Sequence, residues 1–303
     1  MAKLKNLDEP AKVKNYSDFQ NEKGAASLLA ARIGSYVFLA FVTLLCLFSF
    51  YLLIINSTRS NAELQSGFSL LPKEHFITNF MSAMKKTTFF LPQGLLNSAI
   101  IAASTAILTV YFSAMTAYGI FVYDFRGRKF ADKFILLVMM IPTQVSAVGF
   151  VQLINQFKLV NTYWPLIIPA IAAPATYFYM KQYIEGALPL EVVEAARVDG
   201  SNEFRTFNTI CLPMLKPALA VQMIFAFVGS WNNFFTPALV ISKAELMTVP
   251  IMISIVNSDL HSQAGDLGKL YMYIFVSIIP VVIVYICLSK FIIKGVTLGS
   301  VKG

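Results

Sequence analysis

Residues 185–217 read EGALPLEVVEAARVDGSNEFRTFNTICLPMLKP, a polar stretch between two apolar runs. Pro189 suits the first turn of a helix, and Gly200 stands where a left-handed residue is expected to end that helix. Ser201 is then predicted to cap a second helix, which Pro213 ends. The apolar stripe of the second helix consists of Phe204, Phe207 and Cys211. We therefore expect a compact helical elbow with an aromatic face.

The composition around this stretch indicates a membrane protein. The chain has 303 residues, of which 57% are hydrophobic and only 13% are charged, whereas soluble domains carry about 25% charged residues. The three cysteines are far apart, and two lie inside apolar runs, so no disulfide is expected. With only His75 and His261 as imidazole ligands, no metal site is predicted.

Six apolar runs are each long enough to cross the hydrocarbon core, which needs roughly 20 residues. The first is too long for a signal-peptide core and is expected to remain as an anchor. We predict an all-α polytopic membrane protein with a polar basic leader, a six-span domain, a loop between spans 4 and 5, and a short tail. The leader is residues 1–32, the domain 33–293, the loop 185–217 and the tail 294–303, with spans near 33–56, 94–119, 134–157, 166–183, 218–241 and 271–293.

The basic residues predict the orientation of these spans. Seventeen of the 24 Lys and Arg residues fall on the side of the leader, and the other seven fall on the opposite side. Because cytoplasmic segments carry the excess of Lys and Arg, both termini and the loop 185–217 are predicted to be cytoplasmic. This topology and anionic lipid head groups account for the net charge of +8, so no nucleic-acid partner is expected.

Two absences in the sequence bear on mechanism. No Asp, Glu, Lys, Arg or His lies well inside any of the six runs, whereas proton-coupled carriers and pumps depend on such groups. The sequence also lacks G-x-x-x-x-G-K-[ST], the loop with which an ATPase holds phosphates. We expect no catalysis in this chain, and we expect a partner to supply the energy for any uphill transport.

Several neutral polar and aromatic side chains interrupt the apolar runs. In one interpretation they hydrogen bond between helices and hold the bundle together. In the other they line a path for a neutral polar solute, where an indole stacks on a sugar ring and amides replace water. The candidate path residues are Gln144, Trp231, Asn232, Asn233 and Phe234.

The loop also carries an ordered set of residues, comprising Glu194, Ala195, Ala196, Asp199, Gly200, Phe207, Ile210, Leu212 and Pro213. This order and spacing resemble the EAA loop in the membrane-spanning subunits of binding-protein-dependent ABC importers. The likeness covers about residues 33–303. Within that range the chain is similar to MalG-type carbohydrate permeases in particular. The further segments that carry it are Asn97-Ser98, Ala117-Tyr118-Gly119, 125–128, Ile141-Pro142, 231–234 and the tail 295–303.

The resemblance implies that the loop docks into a cleft on an ATPase subunit. Glu194 would be a charge partner or helix cap there, the alanines that follow it would allow close approach, and Gly200 would make the turn. Phe207 and Ile210 would be apolar anchors in the cleft of the partner. Such a rigid pair of helices can pass the closing of an ATPase dimer to the spans as a rigid-body movement. The tail would also reach the ATPase dimer.

The same resemblance implies the partners and the location. These are an ATPase pair that holds ATP and Mg²⁺, a second permease subunit forming a homologous heterodimer, an extracytoplasmic solute-binding protein and a sugar, in the bacterial plasma membrane. This chain itself would need no cofactor. The outer segment 242–267 either contacts the binding protein or is an ordinary solvated loop, and its polar residues are Asp259, His261, Gln263 and Asp266.

Two alternatives differ in cargo or class. A permease of the same architecture could carry glycerol phosphate, an acidic oligosaccharide or an amino acid, but those solutes favour a basic group along the path, and none lies within the runs. A membrane enzyme or signalling receptor would require a polar active-site cluster or a sizeable soluble domain, and neither is visible in the sequence.

Overall fold

The computed structural model describes residues 22–86, 90–142, 144–260 and 266–299, with side chains from residue 28 to residue 291. No strand occurs in these ranges. The helices are α1 Glu22–Ser57, α2 Asn61–Gln65, α3 Phe76–Met84, α4 Leu91–Val122, α5 Arg128–Val138, α6 Ala147–Gln156, α7 Trp164–Ile167, α8 Pro174–Ala187, α9 Leu190–Val198, α10 Glu203–Arg205, α11 Leu212–Met214, α12 Lys216–Trp231, α13 Phe235–Val240, α14 Val249–Asp259 and α15 Leu267–Gly299. Two compact units, divided after Ile54, make up the chain, and the second contains every helix after α1.

Three of the predicted apolar runs are single helices long and apolar enough to cross a membrane. They cover Leu28–Ser57, Leu91–Val122 and Leu267–Phe291. Of the predicted leader, residues 1–21 lie outside the described residues, and α1 already begins at Glu22. Of the predicted tail, α15 continues through Gly299, while residues 300–303 and the side chains after residue 291 lie outside the description.

The other three predicted runs are each divided into shorter helices, because prolines interrupt them. Proline lacks the backbone N–H and its ring clashes with the carbonyl four residues earlier. Pro142 lies in the break between α5 and α6. Pro169 lies in the 3₁₀ turn Ile168–Ile171 that follows α7, and Pro174 begins α8. Pro237 lies in the first turn of α13, just after α12 has ended.

A sharp bend separates the predicted elbow from α12. The helical segment Glu203–Met214 and the helix Lys216–Trp231 meet at an angle of 85°. Counting this bent pair as one span raises the number of membrane-crossing candidates among the described residues from three to four.

Helix α4 lies at the centre of the second unit and packs mainly against α12 and α8. Its buried positions include four alanines with 0–1% of their surface exposed: Ala102, Ala106, Ala114 and Ala117. Inside a membrane the hydrophobic effect does not drive helices together, and small side chains instead let the helix backbones approach closely and pack.

Three hydroxyl groups of α4 hydrogen bond to residues 166–173, where the fourth predicted run is broken into shorter helices. Thr105, Thr109 and Ser113 are spaced by four residues, so they lie on one face of the helix. Their Oγ atoms donate to the backbone oxygens of Leu166 at 3.4 Å, Ala170 at 3.0 Å and Ala173 at 3.4 Å. We call these three residues the hydroxyl ladder. The ladder satisfies carbonyls that a continuous helix would have paired internally.

Two neighbouring residues near the Leu91 end of α4 hold the segment that precedes α14. Asn97 Nδ2 donates to the backbone oxygens of Glu245 at 2.9 Å and Met247 at 3.0 Å. Ser98 Oγ accepts from Val249 N–H at 2.9 Å. Both side chains are buried, so this pair fixes where α14 begins relative to α4.

Candidate functional site

The predicted elbow is present between α8 and α12. Helix α9 ends at Val198, and Gly200 has φ +76°, the left-handed conformation that was predicted for it. Ser201 N–H donates to Ala196 O at 3.0 Å, and Gly200 N–H donates to Arg197 O at 3.0 Å. These bonds close the end of α9 in the manner typical of a glycine-terminated helix.

The second arm of the elbow differs from the prediction at its cap and in its middle. Asn202, rather than Ser201, is the cap, and its Oδ1 accepts from Arg205 N–H at 2.8 Å. After α10 the chain forms a π-helical turn, Thr206–Cys211, and then α11. Pro213 lies at the end of the arm, as predicted, since the helical segment ends one residue later at Met214 and then bends by 85° into α12.

Phe207 points into the protein and not toward a partner. Its ring centroid lies 5.3 Å from that of Tyr118 and 5.8 Å from that of Tyr111, both on α4. Only 2% of its surface is exposed. The expected role of Phe207 as an anchor in a partner's cleft is thus corrected: burial against α4 lets the ring fasten the elbow to the central helix.

An ion pair joins the two arms of the elbow to each other, and a tyrosine near the Val122 end of α4 hydrogen bonds to the same pair. Arg197 Nε lies 2.7 Å from Glu203 Oε1, and Tyr118 donates its hydroxyl to Glu203 Oε2 at 3.3 Å. The Arg197 guanidinium also lies 5.5 Å from the centroid of the Tyr123 ring. The hydrogen bond from Arg197, followed by that from Tyr123, lowers the pKa of Glu203. We call Arg197, Glu203, Tyr118 and Tyr123 the elbow clamp.

The exposed face of the elbow carries two large apolar side chains. Val198 is 87% exposed and Phe204 is 69% exposed. The predicted residues Glu194, Ala195 and Asp199 are exposed beside them. Sequence reasoning missed Val198, although it is an apolar residue off the stripe that buries Val193 and Ala196.

The remaining predicted residues of the loop are distributed between core and surface. Ala196 is 5% exposed. Ile210 and Leu212 are half-buried, and Pro213 is exposed. The predicted set is therefore divided by the fold: part of it holds the elbow in place, and part of it faces outward.

A cavity of about 650 Å³ lies beside the hydroxyl ladder. It is bounded by α4, by residues near the break between α5 and α6, by residues 165–175 and by residues 230–237. None of the described residues that line it carries a charge. Its polar lining residues are Ser98, Thr105, Thr109, Ser146, Ser230, Asn233, Thr236 and Thr248, and its aromatic lining residues are Phe150 and Phe235.

Of the five predicted path residues, Asn233 alone is among the described residues that line this cavity. Trp231 is 3% exposed, and its ring stacks on Phe227 with centroids 5.7 Å apart. Its predicted role in stacking on a sugar is therefore corrected, because the last turn of α12 turns the indole into the core. Gln144, Asn232 and Phe234 are exposed and lie outside the cavity lining.

Comparison with known proteins gives one family match. The model of a family described as the inner membrane component of binding-protein-dependent transport systems matches residues 109–296. These residues include the elbow, the hydroxyl groups of Thr109 and Ser113, and most of the cavity lining.

Individual relatives match over most of their length. The arabinooligosaccharides transport system permease protein AraQ of Bacillus subtilis (strain 168) is 33% identical over 275 residues, which is 90% of this chain and 96% of the relative. The trehalose/maltose transport system permease protein MalG of Thermococcus litoralis is 30% identical over 265 residues, covering 86% of this chain and 94% of the relative.

A solved structure shares the fold. A chain in the crystal structure of a bacterial ABC transporter involved in the import of the acidic polysaccharide alginate superposes with a TM-score of 0.74 at 20% sequence identity. The match covers 87% of this chain and 97% of that chain.

Proposed function

The chain belongs to the family of inner membrane components of binding-protein-dependent transport systems, and on that premise we propose that it is a permease subunit of a bacterial, ATP-driven importer of a neutral sugar or oligosaccharide. In this role it forms part of the translocation path and is moved by separate ATPase subunits. The observation that supports this most directly is the elbow, which is fastened to α4 on one side and exposes an apolar and acidic face on the other.

The proposed topology has six spans. They are formed by α1, α4, the pair α5 and α6, the pair α7 and α8, the pair α12 and α13, and α15. The excess of basic residues supports an orientation in which the elbow, the Val122 end of α4 and both termini are cytoplasmic. Helices broken at membrane depth are tolerated where protein or a cavity surrounds the broken backbone, and the hydroxyl ladder provides such surroundings.

The proposed coupling surface is the exposed face of the elbow. Glu194, Ala195, Val198, Asp199 and Phe204 would contact the ATPase. Phe207 and the elbow clamp would pass the movement of the ATPase to α4, because buried aromatic packing and a paired carboxylate resist independent motion of the elbow. Closing of the ATPase pair around ATP and Mg²⁺ would then move the spans as a rigid body.

The proposed partners follow from the family. They are an ATPase pair, a second and homologous permease subunit, and an extracytoplasmic solute-binding protein. The segment 242–267 lies on the proposed outer side and would contact the binding protein, although residues 261–265, including His261 and Gln263, lie outside the described part of the chain. Asp259 and Asp266 flank that gap.

The proposed cargo is neutral. Two relatives at least 30% identical to this chain are named for arabinooligosaccharides and for trehalose and maltose, which are uncharged and rich in hydroxyl groups. The described lining of the cavity offers hydroxyls and an amide without a charge. An anionic solute such as glycerol phosphate would lose its hydration there without gaining a counter-charge.

The coupling role predicts the effect of a charge reversal on the elbow. The complex of this chain with its ATPase, second permease subunit and binding protein is reconstituted in proteoliposomes, and ATP-driven uptake of arabinooligosaccharide and maltose is measured. Glu194→Lys is expected to reduce uptake at least about tenfold, because truncating or reversing one partner of an interfacial charge pair typically costs 2–5 kcal/mol.

Asp124→Lys is the matched control, since Asp124 is also an exposed carboxylate on the proposed cytoplasmic side but lies outside the elbow. It is expected to leave uptake within about twofold of wild type, as surface substitutions usually do. Equal uptake by wild type and Glu194→Lys, with both complexes fully assembled, would remove the elbow from the coupling role.

A further inference from the structure

Helix α5 presents an exposed apolar stripe beside a column of lysines. Phe130 is 73% exposed, Phe134 54% and Leu137 61%. These positions are four and three residues apart, so they share one face of the helix. The rings of Phe130 and Phe134 stack with centroids 5.9 Å apart. Lys129 and Lys133 each precede one of the phenylalanines and are exposed as well, so the lysine column runs alongside the aromatic stripe.

The opposite face of α5 holds the helix in this orientation. Asp132 Oδ1 accepts from the Tyr177 hydroxyl at 2.7 Å, and Asp132 Oδ2 lies 2.6 Å from Lys181 Nζ, with both partners on α8. Arg128 donates to the backbone oxygen of Phe121, on α4, at 3.3 Å. Because positions 128 and 132 lie one above the other on the helix, these bonds fix the inner face of α5 and leave its lysines and phenylalanines facing outward.

The turn before α5 and the start of the helix carry an excess of positive charge. Residues 124–133 contain four basic residues and two carboxylates, and the carboxylate of Asp132 is already paired with Lys181. Arg126, Lys129 and Lys133 are exposed and have no ion-pair partner in the part of the chain that the structure describes. This outward face therefore lacks the counter-charge that its cations would bind.

An exposed apolar stripe with lysines along one edge fits the boundary between lipid head groups and acyl chains. Apolar side chains enter that boundary, and the long lysine side chains reach the phosphates. The third predicted span begins at residue 134, so the two lysines stand at the level of the head groups. Each basic residue near an anionic surface favours binding by about fivefold in an equilibrium constant. An apolar protein surface would instead leave these cations without a counter-charge.

We propose that the outward face of α5, together with the turn before it, is a binding surface for anionic phospholipids of the cytoplasmic leaflet. Arg126, Lys129 and Lys133 bind the head-group phosphates, and Phe130 and Phe134 pack against the acyl chains. The choice of leaflet rests on the topology given under the proposed function, whereas the preference for an anionic lipid does not. The contact selects lipids by charge, unlike the contacts of an apolar span with its surroundings.

The test measures which lipid contacts α5 in the complete complex. Phe130→Cys is introduced into a chain whose three native cysteines are replaced and is labelled with a fluorophore, with the other subunits free of reactive cysteine. The assembled complex is placed in phosphatidylcholine nanodiscs that contain an equal, small fraction of brominated phosphatidylglycerol or brominated phosphatidylcholine. The anionic lipid is expected to quench the fluorophore at least about threefold more strongly than the zwitterionic one.

Paired variants isolate the contribution of charge. Lys129→Gln combined with Lys133→Gln is expected to bring the quenching ratio of the two lipids close to one, and arginine at both positions is expected to preserve it. High salt should lower the ratio in the lysine form, because exposed charges are screened. A fluorophore at Ile279→Cys is the control, since Ile279 is 45% exposed on α15 and about three turns from Lys269 and Lys290. There the two lipids are expected to quench equally.

Three results would overturn the lipid surface. Equal quenching by the two lipids at position 130 would mean apolar contact without charge selection, and quenching by neither would mean that another subunit covers the face. An unchanged ratio in the glutamine variant would remove the lysines from the contact.

Sugar uptake by the same complex tests the proposed function separately. A complex that imports sugar without preferring the anionic lipid contradicts only the lipid surface, and a complex that prefers the lipid but imports no sugar contradicts only the proposed function.

Discussion

At the scale of single residues, the sequence identified Gly200 correctly and Phe207 incorrectly, for different physical reasons. An Asp-Gly pair at the end of a helix reports a local backbone requirement, and Gly200 does adopt a positive φ. Phe204 and Phe207 are both aromatic and three positions apart, so spacing alone could not show that one is 69% and the other 2% exposed. The π-helical turn, which has no sequence signature here, and packing against α4 decide that difference.

Trp231 shows the same limit within the membrane domain. A tryptophan beside two asparagines suggested a sugar-stacking site, but Phe227 one turn earlier on the same helix stacks on the indole.

Glu203 provides a prediction at this scale. Glu203→Gln removes the charge that pairs with Arg197, and it is expected to lower the stability of the purified complex by about 0.5–1 kcal/mol, because this pair is partly exposed. The measurement is thermal unfolding in detergent. Glu191→Gln is the matched control, as Glu191 is exposed on the same elbow and has no ion-pair partner among the described residues.

The sign of the pH dependence follows from the lowered pKa of Glu203. A carboxyl group whose pKa is lowered in the folded state stabilises the fold fully above its unfolded pKa, about 4.3 for glutamate. The difference between wild type and Glu203→Gln should therefore persist at neutral pH and shrink as the pH falls through the lowered pKa. A difference that grows on acidification would contradict the elbow clamp.

At the scale of helices, apolar length predicted where the chain is helical but not where helices break. Three of the predicted runs are single helices, whereas Pro142, Pro169, Pro174 and Pro237 divide the other three. The prolines are visible in the sequence. What the sequence could not show is that one face of α4 supplies the hydroxyl groups that make these breaks tolerable.

Thr109 tests the hydroxyl ladder. Thr109→Val removes the donor to Ala170 O, at present 3.0 Å away, and leaves a carbonyl unsatisfied beside a buried position. A loss of about 1–2 kcal/mol in thermal stability of the solubilised complex is expected. Thr116→Val on the same helix is the control, since Thr116 is exposed and bonds to Phe112 O of its own helix. Equal losses of thermal stability in the two variants would contradict a stabilising role of the hydroxyl ladder.

At the scale of the whole molecule, the family and the general architecture followed from the sequence, while the working surfaces required the fold. The ordered residues around Glu194 and Gly200 identified the loop, and the family match covers it. The fold then divided that loop into an inner side, fastened to α4, and an outer side marked by Val198 and Phe204. The central claim is that this outer side, and not Phe207, meets the ATPase.

Site-specific cross-linking measures that contact directly. In a chain whose three native cysteines are replaced, Phe204→Cys or Phe207→Cys is introduced, and the assembled complex is treated in membranes with a thiol-to-amine reagent. Phe204→Cys is expected to cross-link to the ATPase subunit in high yield, and Phe207→Cys, facing Tyr118, to give almost none. Efficient cross-linking from Phe207→Cys together with its absence from Phe204→Cys would contradict the account.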